Sequence, residues 1–338
     1  MKQTLSALVL FAFCSLAIPA CVHLIPTVSP TALELPQTLS PLVPQATTPP
    51  DKPSEEQAII RVQDAASGEI LEIPVLEYMI GAAASEMPIT WPDEALKAQA
   101  VAAHSYALYQ RSQAIANGQE DAGWFTVEPA RRLGYMSREV LQQYWGEAFE
   151  ENYQRLEQLF APLCDTVLLY EGQPAAACYH AISNGRTESS GQVWNQELPY
   201  LQGVESSVDK GAEGYSVTVD YTAQQMYDML AFQVPGANLE GDPSQWFGES
   251  EWTDAGYIKR LQVGGVFISG PQLRSIMGLR SSCFSIQYDG EKFSVTTLGY
   301  GHGVGLSQTG AAAMAEQGQT FEQILSWYFP GTSLGQAN

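Results

Sequence analysis

Between Leu76 and Leu108 the chain reads LEYMIGAAASEMPITWPDEALKAQAVAAHSYAL, and no other stretch constrains the fold as much. At helical period Val75, Met79, Ala82, Ala83 and Glu86 fall on one stripe, so an acid occupies a position where a core-facing side chain is expected. Pro88 places Glu86 in the last turn of that helix. An apolar surrounding and the negative end of the helix macrodipole both disfavour its ionised form there. A carboxyl that keeps its proton suits general-acid work, and a hydrogen-bonded structural carboxylate is the plainer alternative. The next helix is predicted to open with Thr90 as N-cap, Pro92 in its first turn and Asp93 closing a capping box, and to run to about Arg111. Leu96, Ala100, Ala103 and Ala107 make a narrow small-residue face. Lys97, Val101, His104 and Leu108 line the neighbouring one, so Lys97 and His104 are expected to point the same way.

The ends of the chain bear on its compartment. Met1 and Lys2 precede an apolar run from Leu5 to about Ile18, shaped like a secretory h-region and too short for a permanent bilayer span. Residues 1–21 are therefore expected to be a signal peptide, and the protein to work outside the cytoplasm. Ile18, Pro19, Ala20 and Cys21 come close to a lipobox. Lipid anchoring of Cys21 on the outer face of the cytoplasmic membrane is expected, with simple secretion as the alternative. Residues 22–56 are rich in Pro and Thr and read as a semi-extended tether. Residues 57–338 suffice for a sizeable core, as one large domain or two lobes around a groove.

Strands are predicted at 58–62, 70–75, 166–170, 175–182, 214–221, 257–263, 282–288 and 292–298. Helices are predicted at 76–87, 93–111, 137–146, 150–161, 223–231, 269–277, 306–317 and 321–328. This irregular mixture points to an α+β fold with mixed sheets and helices rather than a repeating βαβ wind. A formal charge of -21 argues against nucleic acid, which needs a basic face.

Cys14 and Cys21 belong to the leader, which leaves Cys164, Cys178 and Cys283 for the domain. A hairpin turning at Glu171-Gly172-Gln173 would bring Cys164 opposite Cys178 or His180, and the latter two share a strand face. Three readings are open: a zinc site of Cys164, Cys178 and His180 with Cys283 or water as fourth ligand, a Cys164–Cys178 disulfide, or buried thiols. The run Ser183, Asn184, Gly185, Arg186, Thr187, Glu188, Ser189, Ser190 is rich in small donors suited to sugar hydroxyls or an acetamido group, or is an ordinary turn. Lys97 and Arg186 would supply local cations in an acidic protein. Farther on, Gly299, Gly301, Gly303 and Gly305 alternate around Tyr300 and His302 before a helix near Leu306, with neither P-loop nor Rossmann spacing. His302 either lines a groove with Ser307 and Gln308 or caps that helix.

Three blocks in this order, Leu76–Leu108, Tyr179–Ser206 and Gly299–Thr332, resemble the stage II sporulation protein D family of lytic transglycosylases. Ser85 replaces an alanine of the first block, Asn184 stands where the family more often has glycine, and His104 stands where it usually has arginine. The glycine replacement suggests a left-handed backbone at Asn184, and the arginine replacement leaves a neutral imidazole that would bind substrate by hydrogen bonding. The resemblance implies that Glu86 cleaves the MurNAc-GlcNAc bond of peptidoglycan glycan strands without water, as general acid and then base, leaving a 1,6-anhydroMurNAc end. It further implies a preference for peptide-stripped glycan, hence an N-acetylmuramoyl-L-alanine amidase as a possible partner, and no required cofactor, although some relatives carry zinc near the groove. Two rivals stand beside it: a non-catalytic wall-binding amidase enhancer, and a zinc hydrolase built on Cys164, Cys178, His180 and His302.

Overall fold

The computed structural model describes residues 58–194 and 196–337. The expected signal peptide, the Cys21 anchor and the tether lie outside the described residues. No helix among the described residues is long and apolar enough to cross a membrane.

The chain opens with an antiparallel hairpin of β1 (Ile59–Asp64) and β2 (Ile70–Pro74), and β3 (Phe125–Val127) joins β1 in parallel. Helix α1 (Val75–Glu86) leaves β2 without a break, and α2 (Asp93–Ala116) follows. Every residue from Ala95 to Ser105 is buried except Lys97. Over that span the helix has no solvent face beyond Lys97, and its alanines let α1 and later elements approach closely. Pro92 is the N-cap residue of α2, and no side chain caps it, which corrects the expected Thr90 cap and Asp93 box. The Asp93 carboxylate is instead engaged by Arg155 at 2.6 Å, and the same guanidinium bonds the carbonyls of Ile89 and Trp91. Arg155 sits in α4 (Phe149–Phe160), which follows α3 (Arg138–Trp145).

Strand β4 (Thr166–Tyr170) pairs with the short β5 (Gln173–Pro174) in the predicted register, Leu169 opposite Pro174 and Tyr170 opposite Gln173. The ladder stops there. Ala177 N and Cys178 N bond the carbonyls of Ala175 and Ala176, two residues back, so the chain curls away instead of extending the predicted strand 175–182. Only β6 (Tyr179–His180) survives of it, and α5 (Ser190–Trp194) lies beyond.

A second core then forms. It comprises β7 (Ser216–Thr222), α6 (Ala223–Leu230), β8 (Phe247–Trp252), β9 (Ile258–Val263), β10 (Val266–Ser269), α7 (Gly270–Met277), β11 (Phe284–Tyr288) and β12 (Lys292–Leu298). The sheets run β11-β12-β7 and β10-β9-β8. Both helices begin with capping boxes, Thr222 with Gln225 and Ser269 with Gln272, and Trp246 stacks on Phe293 between them and the sheets.

The chain returns to the first core through β13 (Leu306–Ser307), α8 (Gln308–Glu316), α9 (Phe321–Tyr328) and β14 (Ser333–Gln336). β13 lies parallel to β6, and β14 takes the other edge of β4. The cores are tied by the β8–β9 turn: Tyr257 Oη accepts from Asn184 N and donates to Arg186 O, and Asn184 Nδ2 donates to Ala255 O. The architecture is α+β.

Candidate functional site

Glu86 ends α1 and is 6% exposed. Its Oε2 accepts from Gln308 Nε2 at 3.2 Å, and Oε1 finds no partner among the described residues. Gln308 is the first residue of α8, so the positive end of that helix opposes the negative end of α1 at the same carboxyl. Gln99 of α2 completes the cluster: its Oε1 lies 3.5 Å from Gln308 Nε2, and its own Nε2 is buried with no partner among the described residues. Burial outweighs the Gln308 hydrogen bond and raises the Glu86 pKa from 4.5 to about 8. The acid therefore holds its proton at neutral pH, as its place on the apolar stripe predicts.

Tyr78 and Tyr179 connect this acid to a pocket. Both line it together with Tyr106, Phe125, Trp194 and His302, and both hydroxyls lie near enough to Glu86 that its ionised form further disfavours their own ionisation. The His302 ring packs on Trp194 at 5.1 Å and on His180 at 5.7 Å. Its Nδ1 accepts from Val304 N at 3.1 Å, which requires that nitrogen to be unprotonated, and burial lowers its pKa. His180 bonds Val304 O through Nδ1, and burial holds its pKa near 4. Both imidazoles are neutral donors or acceptors at pH 7.

The other residues singled out in the sequence are placed differently. His104 is 1% exposed; its Nδ1 bonds Thr166 O at 3.3 Å, and burial lowers its pKa to about 4. It pins α2 to β4 and offers substrate neither a cation nor a donor at that nitrogen. Lys97 pairs with Glu94 at 2.7 Å, and Glu94 in turn accepts from Phe321 N, so this cation serves the start of α9. Ser183 and Ser307 are fully buried and donate their hydroxyls to Asp209 at 2.5 and 2.7 Å, which removes both from direct sugar contact. Ser307, not His302, caps α8. Asn184 does not take the left-handed backbone expected of it. Gly185 does, with φ +108, and a Cβ there would lie 2.2 Å from Lys210 Cε. Arg186 is exposed and donates to Gly203 O at 2.7 Å.

The zinc and disulfide readings rested on Cys164 facing Cys178 or His180 across a long hairpin. With that hairpin cut short, Cys164 Sγ bonds Phe160 O instead, Cys178 lines the aromatic pocket, and His180 is held by Val304. No disulfide joins the two cysteines, and among the described residues no three His, Cys, Asp or Glu side chains form a metal-holding group. The proposed ligand set does not fit zinc.

Sequence reasoning missed Gln99, Tyr78 and Asp209, whose parts depend on contacts between distant segments. Tyr179 and Trp194 lay within the second block but stood out only as matches to the family.

A family model described as "Stage II sporulation protein" matches residues 63–170. Stage II sporulation protein D of Bacillus subtilis (strain 168) is 33% identical over 281 residues, covering 82% of this chain and 79% of the relative. The protein of the same name from Bacillus amyloliquefaciens is 30% identical, with 84% and 80% covered. The amidase enhancer of Bacillus subtilis (strain 168) is 26% identical over 75% of this chain, which spans 40% of that longer protein. With a third of the aligned residues identical over four fifths of both chains, this chain belongs to the stage II sporulation protein D family.

Proposed function

We propose that this protein is a peptidoglycan lytic transglycosylase that cuts the MurNAc-GlcNAc bond of peptide-stripped glycan and leaves a 1,6-anhydroMurNAc end. The single observation that carries this reading is Glu86: a buried carboxyl, protonated to about pH 8, held at one oxygen by Gln308 and in electrostatic reach of Tyr78 and Tyr179, two of the tyrosines that line an aromatic pocket. Oε1, which no described residue engages, is the oxygen that exchanges the proton. It protonates the glycosidic oxygen as positive charge develops at the anomeric carbon. The bond breaks, GlcNAc leaves with the proton, and the carboxylate accepts one hydrogen bond from Gln308. It then takes the proton of the muramic 6-hydroxyl, whose oxygen attacks the anomeric carbon and closes the anhydro ring. One acid returns to its starting state and no water is placed, so a second catalytic carboxylate is unnecessary. The aromatic walls supply flat apolar faces for sugar rings.

The protonated form is the working one, so activity falls as pH rises through about 8. An amidase that strips stem peptides is the matching partner, and an extracytoplasmic location follows from the substrate. Purified protein mixed with peptide-stripped glycan is expected to release glycan fragments ending in 1,6-anhydroMurNAc, detectable by mass spectrometry, and the Glu86→Gln variant none. Equal release by both would remove Glu86 from the chemistry. Glycan binding without product from either would transfer the protein to the amidase-enhancer reading.

A further inference from the structure

Asp209 is wholly buried in the turn Ser207–Gly211, and it accepts hydrogen bonds from two distant segments. Its Oδ2 accepts from Ser183 N at 3.0 Å, Ser183 Oγ at 2.5 Å and Ser307 Oγ at 2.7 Å, and its Oδ1 accepts from Thr309 Oγ1 at 2.7 Å. No Lys or Arg forms an ion pair with it among the described residues. Burying an acid without a cation is costly unless donors surround it, so losing any of these donors leaves the group poorly compensated.

Two of those donors flank Gln308. The Ser307 hydroxyl also accepts from Gly310 N, capping α8, and Thr309 Oγ1 approaches Ala181 O as well as Asp209. Gln308, between them, directs its amide at Glu86 Oε2. We propose that Asp209 is a positioning residue for Glu86: by gripping Ser307 and Thr309 it fixes the first turn of α8 and so aims the Gln308 amide at the acid. Ser183 carries the same grip to the central segment. The inference takes from the proposed function only that the proton on Glu86 matters; the geometry stands without it.

Groups facing Glu86 are Tyr78 of α1, Tyr179 of β6, Gln99 of α2 and Gln308 of α8. Those facing Asp209 are His180, Tyr215, Tyr257 and Tyr328. The Gln308 hydrogen bond favours the ionised acid, so its loss raises the titration midpoint of Glu86.

The test follows the protonated-carboxyl infrared band of Glu86 against pH, isolated by subtracting the Glu86→Gln spectrum, on the full chain with no glycan present. In Asp209→Asn an amide replaces an acceptor that three donors share, and the midpoint is expected to rise by about one pH unit, the worth of one hydrogen bond to a charged group. Gln308→Ala should give the same rise, and the double variant no more than either alone, because both act through one contact. On glycan, kcat of Asp209→Asn is expected to fall about tenfold with KM little changed. A folded Asp209→Asn with an unmoved midpoint, or two shifts that add, overturns the proposal. Should Asp209→Asn fail to fold, Ser307→Ala, which keeps the carboxylate, must raise the midpoint, and an unmoved value there is equally fatal. A moved midpoint in a protein that never cuts glycan keeps this inference and sinks the proposed reaction; an unmoved midpoint in an active enzyme does the opposite.

Discussion

Keeping Glu86 protonated has a cost that Glu86→Gln should reveal. The carboxyl titrates near 4.5 when exposed and near 8 in the fold. Below about 4.5 both states carry the proton and the site costs nothing. Between those values the native state binds more protons than the unfolded chain, so stability falls as pH rises through the window and levels off above about 8. At about 1.4 kcal/mol per pH unit, the full penalty is about 5 kcal/mol, of which about 3 is already present at pH 7. This is a large share of a typical total of about 5–15 kcal/mol. Glutamine cannot titrate, keeps an acceptor for Gln308 and removes the term. Its second polar atom enters the site of Oε1 and adds an offset of about 1–3 kcal/mol that does not depend on pH. The difference between variant and parent is therefore the informative quantity. Urea unfolding of both proteins at pH 5, 6, 7 and 8 is expected to show the parent losing about 3–4 kcal/mol relative to the variant across that range. Parallel curves would mean that the buried acid does not carry its proton at neutral pH, and the assigned chemistry would go with it.

Three further outcomes follow from the packing. His104→Ala should destabilise by about 1–3 kcal/mol in thermal unfolding, since it strips the partner from the Thr166 carbonyl, while leaving KM for glycan unchanged; a raised KM would return His104 to the substrate site. Trp194→Ala removes a pocket wall and the ring that packs on His302, so KM should rise several-fold with kcat less affected, measured as initial rates of anhydro-product release. Gly305→Ala should abolish soluble, protease-resistant protein: φ is +74, and the new Cβ would lie 2.1 Å from the Cys178 carbonyl oxygen, a backbone atom that cannot turn aside.

Much of the first core was legible because its signals are local. The stripe Val75, Met79, Ala82, Ala83, Glu86 yields both the helix and the burial of the acid. The turn at Glu171-Gly172 gave the right hairpin register, yet a register says nothing about where a ladder ends. The carbonyls of Ala175 and Ala176 capture the next amides, and the cysteine geometry built on a longer strand disappears. β10 and β14 escaped because each has four residues and depends on a neighbouring strand rather than on its own alternation, and β8 because Gly248, Glu249 and Glu251 are poor strand formers. The same limit applies to side chains. Ser183 and Ser307 look like hydroxyls available to a sugar until Asp209, from another part of the chain, claims both. Lys97 and His104 share a helix face as their spacing requires, but Glu94 draws one outward while β4 buries the other.

Glu86 and its amide partner stand 222 residues apart in the chain. A ribosome or a translocation pore that releases this protein from its amino end delivers the acid long before the group that steadies it. Until Gln308 has emerged and the last helices have closed over α2, the growing polypeptide holds an incomplete pair. A fragment cut short of that point lacks Gln308 and the turn that holds it, so under the proposed reaction the acid would gain its full working environment last, by the completion of the fold.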